Sequence, residues 1–188
     1  IRMTDMKLPK KIRILVVDKN SSLDEFNKIF TKVMPHTPGM EDDELALFGQ
    51  RSETKVENIA DYNQAFEKIS LAKTDRKPYG LVFFDVSSKS ASSILDGAKH
   101  LIDADSNVEI IICIDQTKDY AKMFDSLKKN SRINLLNKPY QANELQQLVI
   151  ALIKKWEISQ TLTQQLEDLK DLVKTRTTDL AYSLAIIR

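Results

Sequence analysis

Three charged side chains in this sequence each close an apolar run. Asp18 follows Ile14-Leu15-Val16-Val17, Asp85 follows Leu81-Val82-Phe83-Phe84, and Lys138 comes just after a short run at 133–136 and directly before Pro139. Apolar runs without alternation read as strands buried on both faces. In open α/β sheets function collects beyond the carboxyl ends of such strands, so two carboxylates and an ammonium define one candidate site. The remaining chemistry-bearing residues offer less. His36 lies in a Pro-rich loop and His100 in a helical stretch, neither at metal-ligand spacing from a partner, and both read as surface residues. The single Cys113 sits among Ile110, Ile111, Ile112 and Ile114 and reads as a small buried hydrophobe. One cysteine excludes an intramolecular disulfide and a Cys-rich metal site and suits a reducing cytosol. The run Glu41-Asp42-Asp43-Glu44 reads as a solvated face, with a cation site as the alternative.

The elements that position the three charges follow from periodicity. Strand one is expected at 12–17. Ser22-Leu23-Asp24-Glu25 forms a capping box for a helix carrying Leu23, Phe26, Phe30 and Val33, which Pro35 stops. A polar excursion at 35–51 contains Leu45, Leu47 and Phe48 as a short helix ended by Gly49. A weak strand at 55–59 leads to a second box, Asp61-Tyr62-Asn63-Gln64, and a helix with Ala65, Phe66 and Ile69 on its inner stripe. Lys77-Pro78-Tyr79-Gly80 is a turn. Strand three at 81–84 ends at Asp85, and a Ser-rich stretch runs into a helix with Ile94, Leu95, Ala98, Leu101 and Ile102. Strand four is expected at 108–114, then a helix with Tyr120, Met123, Phe124 and Leu127, then strand five at 133–136. Alternating strands and helices imply a doubly wound parallel sheet with helices on both faces.

Composition bounds the function. The chain has 188 residues, 28 Lys plus Arg against 27 Asp plus Glu, and 42% hydrophobic residues, enough for a real core. The charge balance argues against a nucleic-acid binder, as does the lack of a helix-turn-helix signature or basic helix. No stretch is apolar enough to span a membrane, no secretory signal opens the chain, and a cytoplasmic location is expected. A nucleotide- or flavin-binding enzyme is a remote alternative, since none of Gly39, Gly49, Gly80 and Gly97 follows a strand at a helix start.

From about Lys11 to Trp156 the sequence resembles two-component response-regulator receiver domains. The resemblance rests on Ile14-Leu15-Val16-Val17-Asp18, Leu81-Val82-Phe83-Phe84-Asp85 and Leu135-Leu136-Asn137-Lys138-Pro139. It is closer still to the receivers at the front of multidomain sensor kinases and cyclic-dinucleotide enzymes. The insertion after the first helix and the ending Leu152-Ile153-Lys154-Lys155-Trp156 carry that likeness. The family implies a flavodoxin-like doubly wound five-stranded parallel sheet, order 2-1-3-4-5, here with a long C-terminal helix. It also implies that Asp85 is the phosphoacceptor, that Asp18 and Asp85 help to bind Mg²⁺, and that Lys138 contacts the phosphate. A dication neutralises charge that would otherwise repel a phosphoryl donor from a carboxylate, and a Lys adds a point charge.

The sequence departs from the pattern at three places. The second acid after strand one is Lys19. The hydroxyl position at the end of strand four falls at Ile114 or Asp115, with Thr117 the nearest hydroxyl. Ser87-Ser88-Lys89 replaces the family's Met-Pro after the acceptor. Either Lys19 swings into solvent and Asp18 and Asp85 keep weak metal binding, or Lys19 or Lys138 pairs with Asp18 and Asp85 as a fixed counter-ion. The second reading is favoured, and a negative charge at Asp115 also disfavours a phosphorylated state. A degenerate receiver follows: not an enzyme, with no cofactor expected and Mg²⁺ only if the site is phosphorylation-competent. The alternative is a working receiver phosphorylated on Asp85 by a histidine kinase.

After Pro139 neither Gly nor Pro occurs again. Leu162, Leu166, Leu169 and Val173 step by four, three and four, the seam of a left-handed coiled coil. Strict continuation places Arg176 and Ser183 in the seam; one extra step of four gives Thr177, Leu180, Leu184 and Ile187, a stutter that locally unwinds the supercoil. The stretch from Lys174 to Leu180 also resembles linker helices that join sensory domains to kinase or cyclase modules. The expected organisation is a tag or disordered lead at 1–11, a receiver-like domain at 12–156 with its insertion at about 35–52, and a coiled-coil signalling helix at 157–188. That helix would form a homodimer. Ile1 in place of Met, and a stop inside a helical pattern, suggest a fragment whose output domain follows Arg188.

Overall fold

The computed structural model describes residues 11–18, 28, 53–85, 91–115, 125 and 130–187. Lys11 is a strand residue and not part of a disordered lead, and Lys28 and Asp125 are helical. Apart from these three, the expected lead, Lys19, the first capping box and its helix, the insertion with its acidic run, Ser87-Ser88-Lys89, Thr117 and the helix of Tyr120 to Leu127 lie outside the described residues. The described elements are β1 (Lys11–Val17), β2 (Glu53–Ile59), α1 (Tyr62–Thr74), β3 (Leu81–Asp85), α2 (Ala91–Ala104), β4 (Glu109–Asp115), β5 (Ile133–Lys138) and α3 (Ala142–Ile186). The strands form one sheet in the order β2-β1-β3-β4-β5, and every pairing is parallel. The flavodoxin-like topology expected for this chain is the one observed. β5 extends past the apolar run and takes in Lys138 itself, while β2 begins two residues before its expected start.

Continuous apolar runs form the inner strands because both faces are covered. Leu15, Val17, Val82, Phe84, Ile110 and Ile112 point to a core shared with α1 and α2. Ile12, Ile14, Val16, Leu81, Phe83, Ile111 and Cys113 point the other way, where Leu145, Val149, Leu152, Ile153 and Trp156 of α3 close over them. Cys113 is fully buried, as its neighbours imply.

Two glycines set how closely the helices approach. A Cβ at Gly80 would stand 3.0 Å from Trp156 Cδ2, so the indole lies directly on the turn before β3. A Cβ at Gly97 would meet Tyr62 Oη at 1.6 Å, so α2 leaves room there for the ring that α1 lays across it. Tyr62 in turn packs on Phe84 at 5.7 Å between centroids. Asp61 caps α1 by accepting a hydrogen bond from Asn63 N. The inner stripe of α1 is Ala65, Ile69 and Ala72. Phe66, expected on it, is instead exposed and lies against His100.

α3 runs unbroken from Ala142 to Ile186. Glu144 accepts a hydrogen bond from Gln141 N at its start, and no Gly or Pro interrupts it. Among the described residues no helix is long and apolar enough to cross a membrane.

Candidate functional site

β1 and β3 are neighbours in register, Val17 against Phe84, so the next residue of each strand, Asp18 and Asp85, stands at the same carboxyl edge. Asp18 is buried and its backbone N–H donates to Ile59 O at 3.1 Å. β4 separates β3 from β5. Lys138 Nζ crosses that gap and donates a hydrogen bond to Asp85 Oδ1, with both side chains largely shielded from water. The Lys138–Pro139 peptide bond is cis. The geometry therefore brings Asp85 and Lys138 into contact and places Asp18 on the adjacent strand end; Lys19 is outside the described residues. Asp18 and Asp85 are the carboxylates here that could hold a cation, and Asp85 already accepts from the Lys138 ammonium. No group of three or more His, Cys, Asp or Glu able to hold a metal ion occurs among the described residues.

The opposite edge of the sheet carries a polar cluster that sequence reasoning missed. Glu109, the first residue of β4, is fully buried. Its Oε1 accepts from Arg132 Nη1 at 2.5 Å and its Oε2 from Lys155 Nζ at 3.2 Å. Burial pushes the Glu109 carboxyl above the ordinary carboxylate range, against the pull of Lys155 and Arg132. Arg132 also donates to Asn107 O at 3.3 Å and to Ser159 Oγ at 3.0 Å, Asn107 Nδ2 donates to Thr163 Oγ1 at 3.0 Å, and Lys155 donates to Ser131 O. Together these tie the turns of α3 from Lys155 to Thr163 to the amino ends of β4 and β5. The one sequence signal was a glutamate opening an otherwise apolar run.

A second cluster lies beside β1. Glu57 accepts from Arg13 at 2.8 Å, Tyr79 Oη at 2.7 Å and Lys68 at 3.2 Å. The Arg13 guanidinium also sits 4.1 Å from the Tyr79 ring centroid, a cation–π arrangement. Burial raises the Glu57 pKa, but the hydrogen bonds from Arg13, Tyr79 and Lys68 outweigh it and hold the carboxyl at about 2. Burial, reinforced by Glu57, pushes the Tyr79 phenol up.

No protein-family model matches the sequence, and no curated protein matches it. Solved structures do. One described as adenylate cyclase from Rhodopirellula baltica is 16% identical, with a TM-score of 0.55 over 84% of this chain and 98% of the other. A response regulator receiver domain protein from Clostridium thermocellum is 16% identical, with a TM-score of 0.50 over 81% and 98%. A CheY-like receiver domain protein from Methanospirillum hungatei is 17% identical, with a TM-score of 0.50 over 79% and 98%. Sheet order, parallel pairing and these likenesses agree: the chain has the fold of the response-regulator receiver domains.

Proposed function

We propose that this chain is a regulatory, non-catalytic, cytoplasmic receiver-like module of phosphorelay signalling. In this reading its body, residues 12–156, has a degenerate phosphorylation site, and its helix at 157–188 pairs with a second copy and acts on an output domain beyond Arg188. What carries the reading is the departure from the family's pattern, with Lys19 at the place of a metal-binding acid and Ile114 or Asp115 at the hydroxyl position; the hydrogen bond from Lys138 to Asp85 is common to both readings. Lys19, next in sequence to Asp18, brings positive charge where the family has a metal-binding acid, so less is left for Mg²⁺ to neutralise. The tail supports the pairing half. Leu162, Leu166, Leu169 and Val173 are 54%, 57%, 56% and 58% exposed. Removing such half-exposed apolar side chains from water favours association.

The test is titration with beryllofluoride and Mg²⁺, followed by amide NMR shifts. The reading expects no saturable response at Asp85. A saturable response centred there supports the alternative, a functional phosphoacceptor served by a histidine kinase, and phosphotransfer that disappears in Asp85→Asn would establish it.

A further inference from the structure

The long helix is held to the body in two different ways. Up to Trp156 the grip is apolar: Leu145, Val149, Leu152, Ile153 and Trp156 are buried against the sheet, and the Trp156 indole lies directly on Gly80. From 157 to 163 no residue is buried, and Ile158 and Leu162 are 62% and 54% exposed. The grip on these two turns is polar. Ser159 Oγ accepts from Arg132 Nη2 and Thr163 Oγ1 accepts from Asn107 Nδ2, each at 3.0 Å.

Every group in those two bonds has somewhere else to turn when they part. Ser159 Oγ also donates to Lys155 O at 3.0 Å, and Thr163 Oγ1 to Ser159 O at 2.9 Å. Arg132 stays on Glu109 and on Asn107 O, and the fully buried Glu109 keeps Lys155 as well. The nitrogens set free belong to Arg132 and Asn107, whose side chains are only partly buried and can meet water. Parting therefore orphans no buried polar group, which is the main cost of breaking polar contacts. It also uncovers no large apolar side chain. The hydroxyl-to-carbonyl bonds of Ser159 and Thr163 favour bending at these same turns. A segment with few buried apolar contacts opens well below the free energy of global unfolding.

We infer that residues 157–163 are a releasable latch. The two turns come off Arg132 and Asn107 while α3 stays docked up to Trp156, and a tail fixed to the sheet becomes one that swings from it. Ser159 and Thr163 are then positioning residues, which set the direction in which the tail leaves the body. The inference deepens the reading of the tail as an output helix and rests on it for what the latch regulates; the latch itself stands on these contacts.

Pulsed electron paramagnetic resonance on the full chain tests this. Spin labels at Lys99→Cys on α2 and Asp171→Cys on the tail, both exposed, measure the tail against the body. Cys113 is fully buried and stays in place, and an excess of unlabelled chain restricts the signal to distances within one chain. Ser159→Ala with Thr163→Val removes both acceptors without a helix breaker. The expected result is a narrow distance distribution in the labelled parent and one roughly twice as broad in the double variant. Emission from Trp156, the one tryptophan in the sequence, stays unchanged. Equal widths would overturn the latch, because the apolar grip alone would then fix the tail. Broadening with a red shift of Trp156 emission would also overturn it, since α3 would be leaving as a whole. The expected broadening in a chain that sediments as a monomer would support the latch and overturn the pairing reading alone.

Discussion

Lys138 on β5 reaches over β4 to donate a hydrogen bond to Asp85 on β3. A charge-assisted bond between partly shielded groups is roughly twice as strong as a neutral one. Any cation that binds the Asp18 and Asp85 pair must therefore displace this ammonium or share the carboxylate with it. Lys138→Met removes the ammonium from Asp85, so a cation at this strand end no longer has to displace it. Mg²⁺ affinity should rise by about tenfold, equivalent to about 1.4 kcal/mol, in an amide-shift titration. Unchanged or weaker binding would show that Lys138 does not occupy the cation's place.

The cluster at the other edge predicts an order of stabilities. Arg132 bonds to Asn107, Glu109 and Ser159 together, and its loss leaves the fully buried Glu109 with Lys155 alone. Arg132→Met should cost about 3–5 kcal/mol, the range for a broken buried ion pair. Lys155→Met should cost less, about 1–3 kcal/mol, because the bond to Arg132 survives. Glu109→Met should be milder than Arg132→Met, since the cations it releases are partly exposed and can rehydrate. Urea unfolding midpoints give the order, and hydrogen exchange at 157–163 shows whether the helix has come away from the sheet.

Much of this molecule was legible because burial on both faces forces unbroken apolar runs. That is why β1, β3 and β4 were expected nearly where they occur, and why charges closing three runs marked one edge. The Glu109 cluster was not legible. Arg132 and Lys155 lie 23 and 46 positions from Glu109, and only the register of β4 with β5 and the path of α3 bring them together. Phe66 shows the limit of a helical stripe read alone. α1 meets the sheet through Ala65, Ile69 and Ala72, small or branched residues that let it lie close, and a large ring one position along is turned out towards His100. The tail pattern fixed a continuous helix, but its phase relative to the sheet needed Ser159 and Thr163, whose partners sit on other elements.

Glu57 should make stability fall with acid. Its carboxyl is held at about 2 against an ordinary 4.5, so the folded state binds its proton less readily than the unfolded chain. The stabilisation is complete above pH 4.5 and is lost as pH drops through that value towards 2. Its size is on the order of 1–3 kcal/mol once the exposure of Lys68 and Lys55 to solvent is allowed for. Glu57→Gln should lower stability at neutral pH and flatten this part of the profile. Parallel acid profiles for the two proteins would place the titration elsewhere.

Gly97 gives a prediction in which two effects oppose one another. In a helix interior Gly→Ala ordinarily stabilises by about 1 kcal/mol, because Ala restricts the unfolded chain and Gly does not. At Gly97 the added Cβ would fall 1.6 Å from Tyr62 Oη and 2.0 Å from Cζ, so α1 and α2 must separate or the Tyr62 ring must leave its contact with Phe84. Overpacking of this kind costs about 1–3 kcal/mol, which exceeds the propensity gain at all but its lower end. Gly97→Ala should therefore destabilise the chain on balance. Tyr62→Ala removes the ring and is destabilising by itself, but in that background Gly97→Ala should turn stabilising, because only the propensity term remains. A double-mutant cycle by urea unfolding measures the change of sign. Stabilisation by Gly97→Ala with Tyr62 in place would mean that the two helices do not meet through this ring.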